Sequence, residues 1–161
     1  MFKKYESRKV AALAAAVFLV LATLFLLLSY LVNQRVKVID VSGCEIDTGE
    51  VVCKIEEVGT FYNYISTKGY AYIPGEDINE ACIQVLMYDA KRDVYYELPT
   101  ETVLREDITQ EINDGCNYDY CGFQTASYKR NLKTNDGKWM LLYECNGRRL
   151  LVDPEKQEEE E

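Results

Sequence analysis

The chain has 161 residues, with 18 Lys and Arg against 27 Asp and Glu, six cysteines and no histidine. The lack of histidine removes Ser–His and Cys–His nucleophile pairs and any His-ligated metal. Residues 1–9 hold four basic side chains and one acidic one, which leaves 14 basic and 26 acidic beyond them, a formal −12. That charge excludes a nucleic-acid partner, whose phosphates require a basic face.

In chain order, residues 1–9 form a basic head in which Lys3, Lys4, Arg8 and Lys9 are opposed only by Glu6. Residues 10–32 then run without charge, Gly or Pro. As a helix this run is about 35 Å long, enough to cross a hydrocarbon core of about 30 Å. A cleavable signal peptide has an apolar core of only about 7–15 residues followed by a small-x-small site. Here the small triplet Ala14-Ala15-Ala16 lies inside the run. Residues 10–32 therefore read as an uncleaved transmembrane helix in contact with membrane lipid. Basic flanks stay cytoplasmic, so the N-terminus is expected inside and residues 33–161 outside.

The remainder is the size of one domain. Alternation and enrichment in Tyr, Val and Ile predict strands over 36–41, 50–55, 68–73, 82–88, 94–98, 122–128, 138–145 and 148–152. Pro74-Gly75, residues 89–93, residues 135–137 and Asn146-Gly147 separate them as turns. Asn-Gly between two apolar runs predicts a two-residue hairpin. One short helix is expected over 107–112, with Asp107 as cap and Gln110 returning the bond. These elements predict an all-β extracytoplasmic domain over 33–153, an Ig-like β-sandwich of about eight strands with one short helix. Residues 154–161, acidic and following Pro154, read as a disordered tail.

All six cysteines, Cys44, Cys53, Cys82, Cys116, Cys121 and Cys145, follow the apolar run. An even count in an oxidising compartment predicts up to three disulfides. Six cysteines allow fifteen pairings, and spacing does not choose among them. Two local pairs are geometrically cheap: Cys116–Cys121 around a tight loop, and Cys44–Cys53 around a supposed hairpin. They would leave Cys82 with Cys145. Zinc is disfavoured because there is neither Cys-x-x-Cys nor histidine.

No Gly-rich phosphate loop is present, and the many carboxylates single out no glycosidase pair. Residues 113–119 offer oxygen ligands that calcium accepts, without EF-hand spacing. No cofactor is expected. Tyr62 and Tyr64, and Tyr118 and Tyr120, stand beside Asn and Asp in expected loops, a composition suited to stacking on a sugar. The same tyrosines equally suit strand and loop packing.

Gly69-Tyr-Ala-Tyr-Ile-Pro-Gly-Glu-Asp77 resembles the Gly-Trp-Ala-Tyr-Ile-x-Gly-x-Asp strand and turn of an extracytoplasmic β-sandwich module. That module is appended to bacterial membrane proteins and glycosyltransferases of surface-polysaccharide assembly. Residues 105–123, with Arg105, Asp107, Gly122 and Phe123, resemble its Arg-x-Asp-Val…Tyr-x-x-Ser-Gly-Phe segment. The resemblance covers about 36–153. Tyr70 stands for Trp, Cys121 stands for Ser, and 44–66 reads as an insertion. The Cys121 replacement supports an added disulfide. The resemblance implies the setting and the fold and carries no catalytic residues. Gly69, Arg105, Asp107, Gly122 and Phe123 have structural roles in this reading, with Arg105 and Asp107 pairing at the helix entry.

The function expected is a membrane-anchored, non-catalytic accessory of the bacterial cell envelope. Its expected partner is an envelope glycan or a membrane glycan-assembly protein. The alternatives are a tethered receptor or adhesion module for a protein ligand, and a small envelope glycan hydrolase.

Overall fold

The computed structural model describes residues 7–33, 36–80, 83–132 and 137–155. The chain divides into two compact units, residues 1–35 and residues 36–161. In the first, one helix, α1 (Ser7–Asn33), holds an apolar stretch long enough to cross a membrane. It starts three residues before the apolar run, because nothing in Ser7-Arg8-Lys9 opposes helix formation. The basic head before residue 7 lies outside the described residues.

The second unit is mostly β, in two sheets. The strands are β1 (Lys37–Ile39), β2 (Glu45–Ile46), β3 (Val52–Phe61), β4 (Tyr64–Tyr72), β5 (Ile83–Asp89), β6 (Val94–Glu97), β7 (Thr100–Val103), β8 (Gly122–Tyr128), β9 (Lys138–Cys145) and β10 (Arg148–Val152). The helix α2 (Glu106–Ile112) lies between β7 and β8, and a 3-10 turn covers Lys129–Asn131. The larger sheet has the order β1-β6-β5-β9-β10-β2 and the smaller β3-β4-β8-β7. The last three strands occupy the predicted ranges 122–128, 138–145 and 148–152, and Asn146 and Gly147 both take positive φ in the tight turn between β9 and β10. Two strands were not expected. β7 is polar, short and at an edge, and β2 has two residues paired in parallel with β10.

The two sheets bury a common core that includes Val51, Ala71, Val85, Leu98, Phe123, Leu141 and Val152. A second cluster, Leu86, Met140, Leu142 and Leu151, lies on the opposite face of the larger sheet. The chain leaves that sheet at β1 on one edge and re-enters it at β2 on the other. Val41 and Cys44, from the crossing segment, pack on this second cluster and keep it from water.

That crossing corrects the expected hairpin over residues 44–53. β2 belongs to the larger sheet and β3 to the smaller, so Cys44 sits on the outer cluster while Cys53 lies in the common core. Cys44 is a free thiol, and the Cys44–Cys53 bridge is not formed. Cys116 and Cys121 are free thiols as well. Cys121 continues the line of β8 and is fully buried, whereas Cys116 is half-buried. The three-bridge framework is therefore not the one found. Cys145 is disulfide-bonded, and Cys82 lies outside the described residues.

The helix entry also differs from expectation. Arg105 is the N-cap residue and makes no side-chain capping bond. Asp107 instead accepts from Arg105 Nε at 2.9 Å and Nη2 at 2.8 Å, because the guanidinium outcompetes a backbone N–H for the carboxylate. The acidic tail lies outside the described residues from 156 onward. Before it, Glu155 is ion-paired with Lys138 at 3.2 Å.

Candidate functional site

β4 runs through the middle of the smaller sheet between β3 and β8. Strand alternation sends Gly69 and Ala71 to the core and Tyr64, Ser66, Lys68, Tyr70 and Tyr72 to the outer face. On β8, Phe123, Thr125 and Ser127 face the core, while Gln124, Ala126 and Tyr128 face out. The register then sets these outer residues in rungs. Phe61, Tyr64 and Tyr128 form one, Gly59, Ser66 and Ala126 the next, and Glu57, Lys68 and Gln124 the third.

The first rung is aromatic. Tyr64 and Tyr128 meet edge to face with centroids 5.7 Å apart, and Phe61 is tilted on Tyr64 at 6.5 Å. Arg130 stands 5.0 Å above the Tyr128 ring. Tyr62, at the tip of the β3–β4 turn, is 100% exposed and Phe61 65% exposed. Burying such rings against a partner is strongly favourable, which makes this end of the sheet a candidate contact surface.

The third rung is charged and internally satisfied. Lys68 is ion-paired with Glu57, which raises the lysine pKa, and Gln124 donates to Glu101 at 3.0 Å. Beyond it lies a depression of about 350 Å³ lined by Lys68, Gln124, Arg105, Glu56 and Asp107 among others. A bulge between Ile55 and Glu57 frees Glu56 from the ladder, and Glu56 takes both Nη atoms of Arg105, at 2.8 and 3.0 Å. These bonds and the pair with Asp107 hold the arginine pKa above its usual value and the Asp107 pKa below its own.

The residues singled out by the resemblance converge here. Gly122 lies opposite Tyr70, and a Cβ on it would overlap the Val103 carbonyl and come 2.6 Å from Arg105 Cγ. The missing side chain lets the arginine stem cross β8 and set its guanidinium 5.2 Å above Tyr70. Gly69 lies opposite Phe123, whose ring would meet a Cβ there at 2.9 Å, so the phenyl ring covers the glycine gap in the core. Tyr70 stacks in turn on Tyr72 at 6.2 Å. Burial raises the pKa of both tyrosines.

The four candidate tyrosines lie in two separate places. Tyr62 and Tyr64 lie at one end of β4, while Tyr118 packs on Tyr72 at the other, eight residues away, about 26 Å at strand rise. Tyr118 is 0% exposed and so cannot stack on a ligand. Its hydroxyl donates to Asp114 Oδ2 at 2.5 Å and accepts from the Gly75 N–H at 2.7 Å. Burial and the adjacent carboxylate push its pKa up, and the same bond pulls that of Asp114 down. Tyr120 is partly exposed, in the same distant loop. The oxygen atoms of residues 113–119 are taken up internally: Asp114 accepts from Tyr118 and the Cys116 N–H, Asn117 from Asp119, and Asp119 from Thr109.

Sequence reasoning missed Phe61, Tyr128 and Arg130. Tyr128 was legible, since alternation from a core-facing Phe123 puts it on the outer face with Ala126. Its partner Tyr64 was singled out from the sequence, but in an expected loop, whereas it begins β4.

A cavity of about 310 Å³ opens beneath the aromatic rung, between the sheets, lined by Ile65, Met87, Leu132 and Trp139, with Thr60, Lys129 and Gly137. No family model, curated protein or solved structure matches the chain.

Proposed function

We propose that this is a membrane-anchored, non-catalytic binding protein of the bacterial cell envelope, and that its ligand is a surface glycan. α1 is the anchor, with its N-terminus cytoplasmic and the β unit outside. The order β3-β4-β8-β7 facing β6-β5-β9-β10 reads as the ABED and C′CFG sheets of an Ig-like sandwich. The observation that carries the binding reading is the outer rung of Phe61, Tyr64 and Tyr128 beside the fully exposed Tyr62. Sugars present apolar C–H faces that stack on such rings.

The test uses the full chain in detergent against polysaccharide extracted from bacterial envelopes. Wild type is retained, and Tyr128→Ala with an unchanged melting temperature is retained about tenfold more weakly. No retention of wild type on any envelope glycan refutes the sugar reading. One observation then favours a protein ligand: β3 is an edge strand with β4 as its sheet partner, open to strand addition.

A further inference from the structure

We infer that the cavity of about 310 Å³ between the sheets binds a small amphipathic monocarboxylate, with the alkyl chain inside and the carboxylate on Lys129. The site lies on the inner side of the smaller sheet, whereas the aromatic rung lies on the outer side. It stands or falls independently of the glycan reading.

Two facing rungs make the walls. On the larger sheet, Met87 of β5 lies opposite Trp139 of β9. On the smaller sheet, Thr60, Ile65 and Ser127 lie side by side across β3, β4 and β8. Packed sheets stand about 10 Å apart, and the short side chains of Thr60 and Ser127 do not fill that gap. Leu132 and Gly137 complete the lining and flank residues 133–136, which lie outside the described residues. Ile65 and Trp139 pack on the core but are only partly buried. Covering their remaining apolar surface favours an apolar occupant. Small-molecule sites span about 300–1,000 Å³, so this volume suits one short chain and leaves no room for the two long chains of a bilayer lipid.

Two groups on β8 and its continuation select the polar end of the ligand. Ser127 is 1% exposed, and its hydroxyl has no hydrogen-bond partner. A buried hydroxyl left unpaired is unfavourable, and a ligand oxygen that accepts from it removes the penalty. Tyr128 stays extended, with φ −74° and ψ 132°, so alternation carries past the strand end. Lys129 therefore follows Ser127 to the inner side, about 7 Å further along. It lines the cavity, and among the described residues no carboxylate pairs with it. The carboxylates at this end of the larger sheet are engaged: Asp89 with Arg92, Asp93 with the Tyr88 hydroxyl, and Asp153 and Glu155 with Lys138. One ligand carboxylate can accept from the Lys129 ammonium at the mouth and from the Ser127 hydroxyl behind it. An alcohol offers the ammonium a weaker acceptor, and an alkylammonium is repelled by it.

Trp139 is the only tryptophan in the chain, so its fluorescence reports on this cavity alone. Full-length protein is held in an uncharged amphipathic polymer that lacks tryptophan. The salt is about 0.15 M, where a Debye length of about 8 Å screens the distant carboxylates of the domain. Decanoate, decanol and decyltrimethylammonium are each titrated below their micelle concentrations. Decanoate is expected to shift the Trp139 emission saturably and to bind about tenfold or more tighter than the other two. Lys129→Met is expected to weaken decanoate about tenfold and to leave decanol unchanged, a split that misfolding would not produce. Thr60→Leu fills the cavity from the edge strand and is expected to abolish the saturable shift. Ile65→Phe fills it from β4 and serves if the first variant lowers the melting temperature. No saturable shift in wild type overturns the site. Equal affinity for decanoate and decanol, or a Lys129→Met protein that binds decanoate like wild type, overturns the carboxylate class.

Discussion

Replacing Tyr118 by Phe removes one oxygen from a fully buried tyrosine and leaves the ring in place. That hydroxyl makes two bonds, to the Gly75 N–H at 2.7 Å and to Asp114 Oδ2 at 2.5 Å. It thereby ties the loop before α2's return strand to the turn after β4, which Asn117 also holds by accepting from Ile78 and donating to Asp77. A neutral hydrogen bond contributes about 1 kcal/mol, and one to a charged group somewhat more. Tyr118→Phe should therefore cost about 2 kcal/mol. For a unit of this size that lowers the melting temperature by roughly 8 °C. Tyr118→Ala also empties the space against Tyr72 and should cost about 4 kcal/mol or more. Thermal unfolding of the full chain in detergent, followed by circular dichroism, measures both. In Asp114→Asn, adding Tyr118→Phe should cost less than it does in wild type, since the two groups share a bond. A Tyr118→Phe protein that melts within about 2 °C of wild type would refute this account of the hydroxyl. Loss of glycan retention in Tyr118→Ala without loss of stability would refute its burial.

Gly69→Ala should destabilise by about 1–3 kcal/mol, seen as a lower urea midpoint, because the new methyl meets the Lys54 carbonyl and the Phe123 ring. Maleimide at neutral pH should label Cys44 and Cys116 on native protein, while Cys121 reacts only on unfolding, being buried with its thiol pKa pushed up to about 12; mass mapping that finds a Cys116–Cys121 or Cys44–Cys53 bridge counts against this. Stability should fall in acid below about pH 4, where Asp107 and Asp114, whose folded pKa values lie under the ordinary one near 3.9, lose their bonds on protonation. It should also fall as pH rises above about 10, where unfolded tyrosines ionise while Tyr143, held by burial at about 12, and Tyr118 do not. Urea midpoints across that range test both limbs, and a midpoint that holds from pH 7 to 12 would contradict the second.

The amino-acid sequence by itself determined what depends on short-range pattern. An uncharged run of apolar residues has one low-energy backbone in lipid, so the length and place of α1 were legible. The boundaries of β8 followed from alternation, those of β9 and β10 from short apolar runs bounded by turn residues, and the turn at Asn146-Gly147 from two residues that tolerate positive φ. Tertiary structure decided everything that depends on which strand lies beside which. β2 joins β10 across the larger sheet, which puts Cys44 and Cys53 in different layers although nine positions separate them. The polar partners that bury Tyr118 include Gly75, 43 residues away, and no local pattern announces them. The candidate site has the same origin. Phe61, Tyr64 and Tyr128 belong to three separate strands, and only the register of β3 and β8 on β4 makes them one aromatic rung. Side-chain alternation fixes the face a residue takes within its own strand, but its neighbours across the sheet are set by long-range pairing that the whole core must satisfy at once.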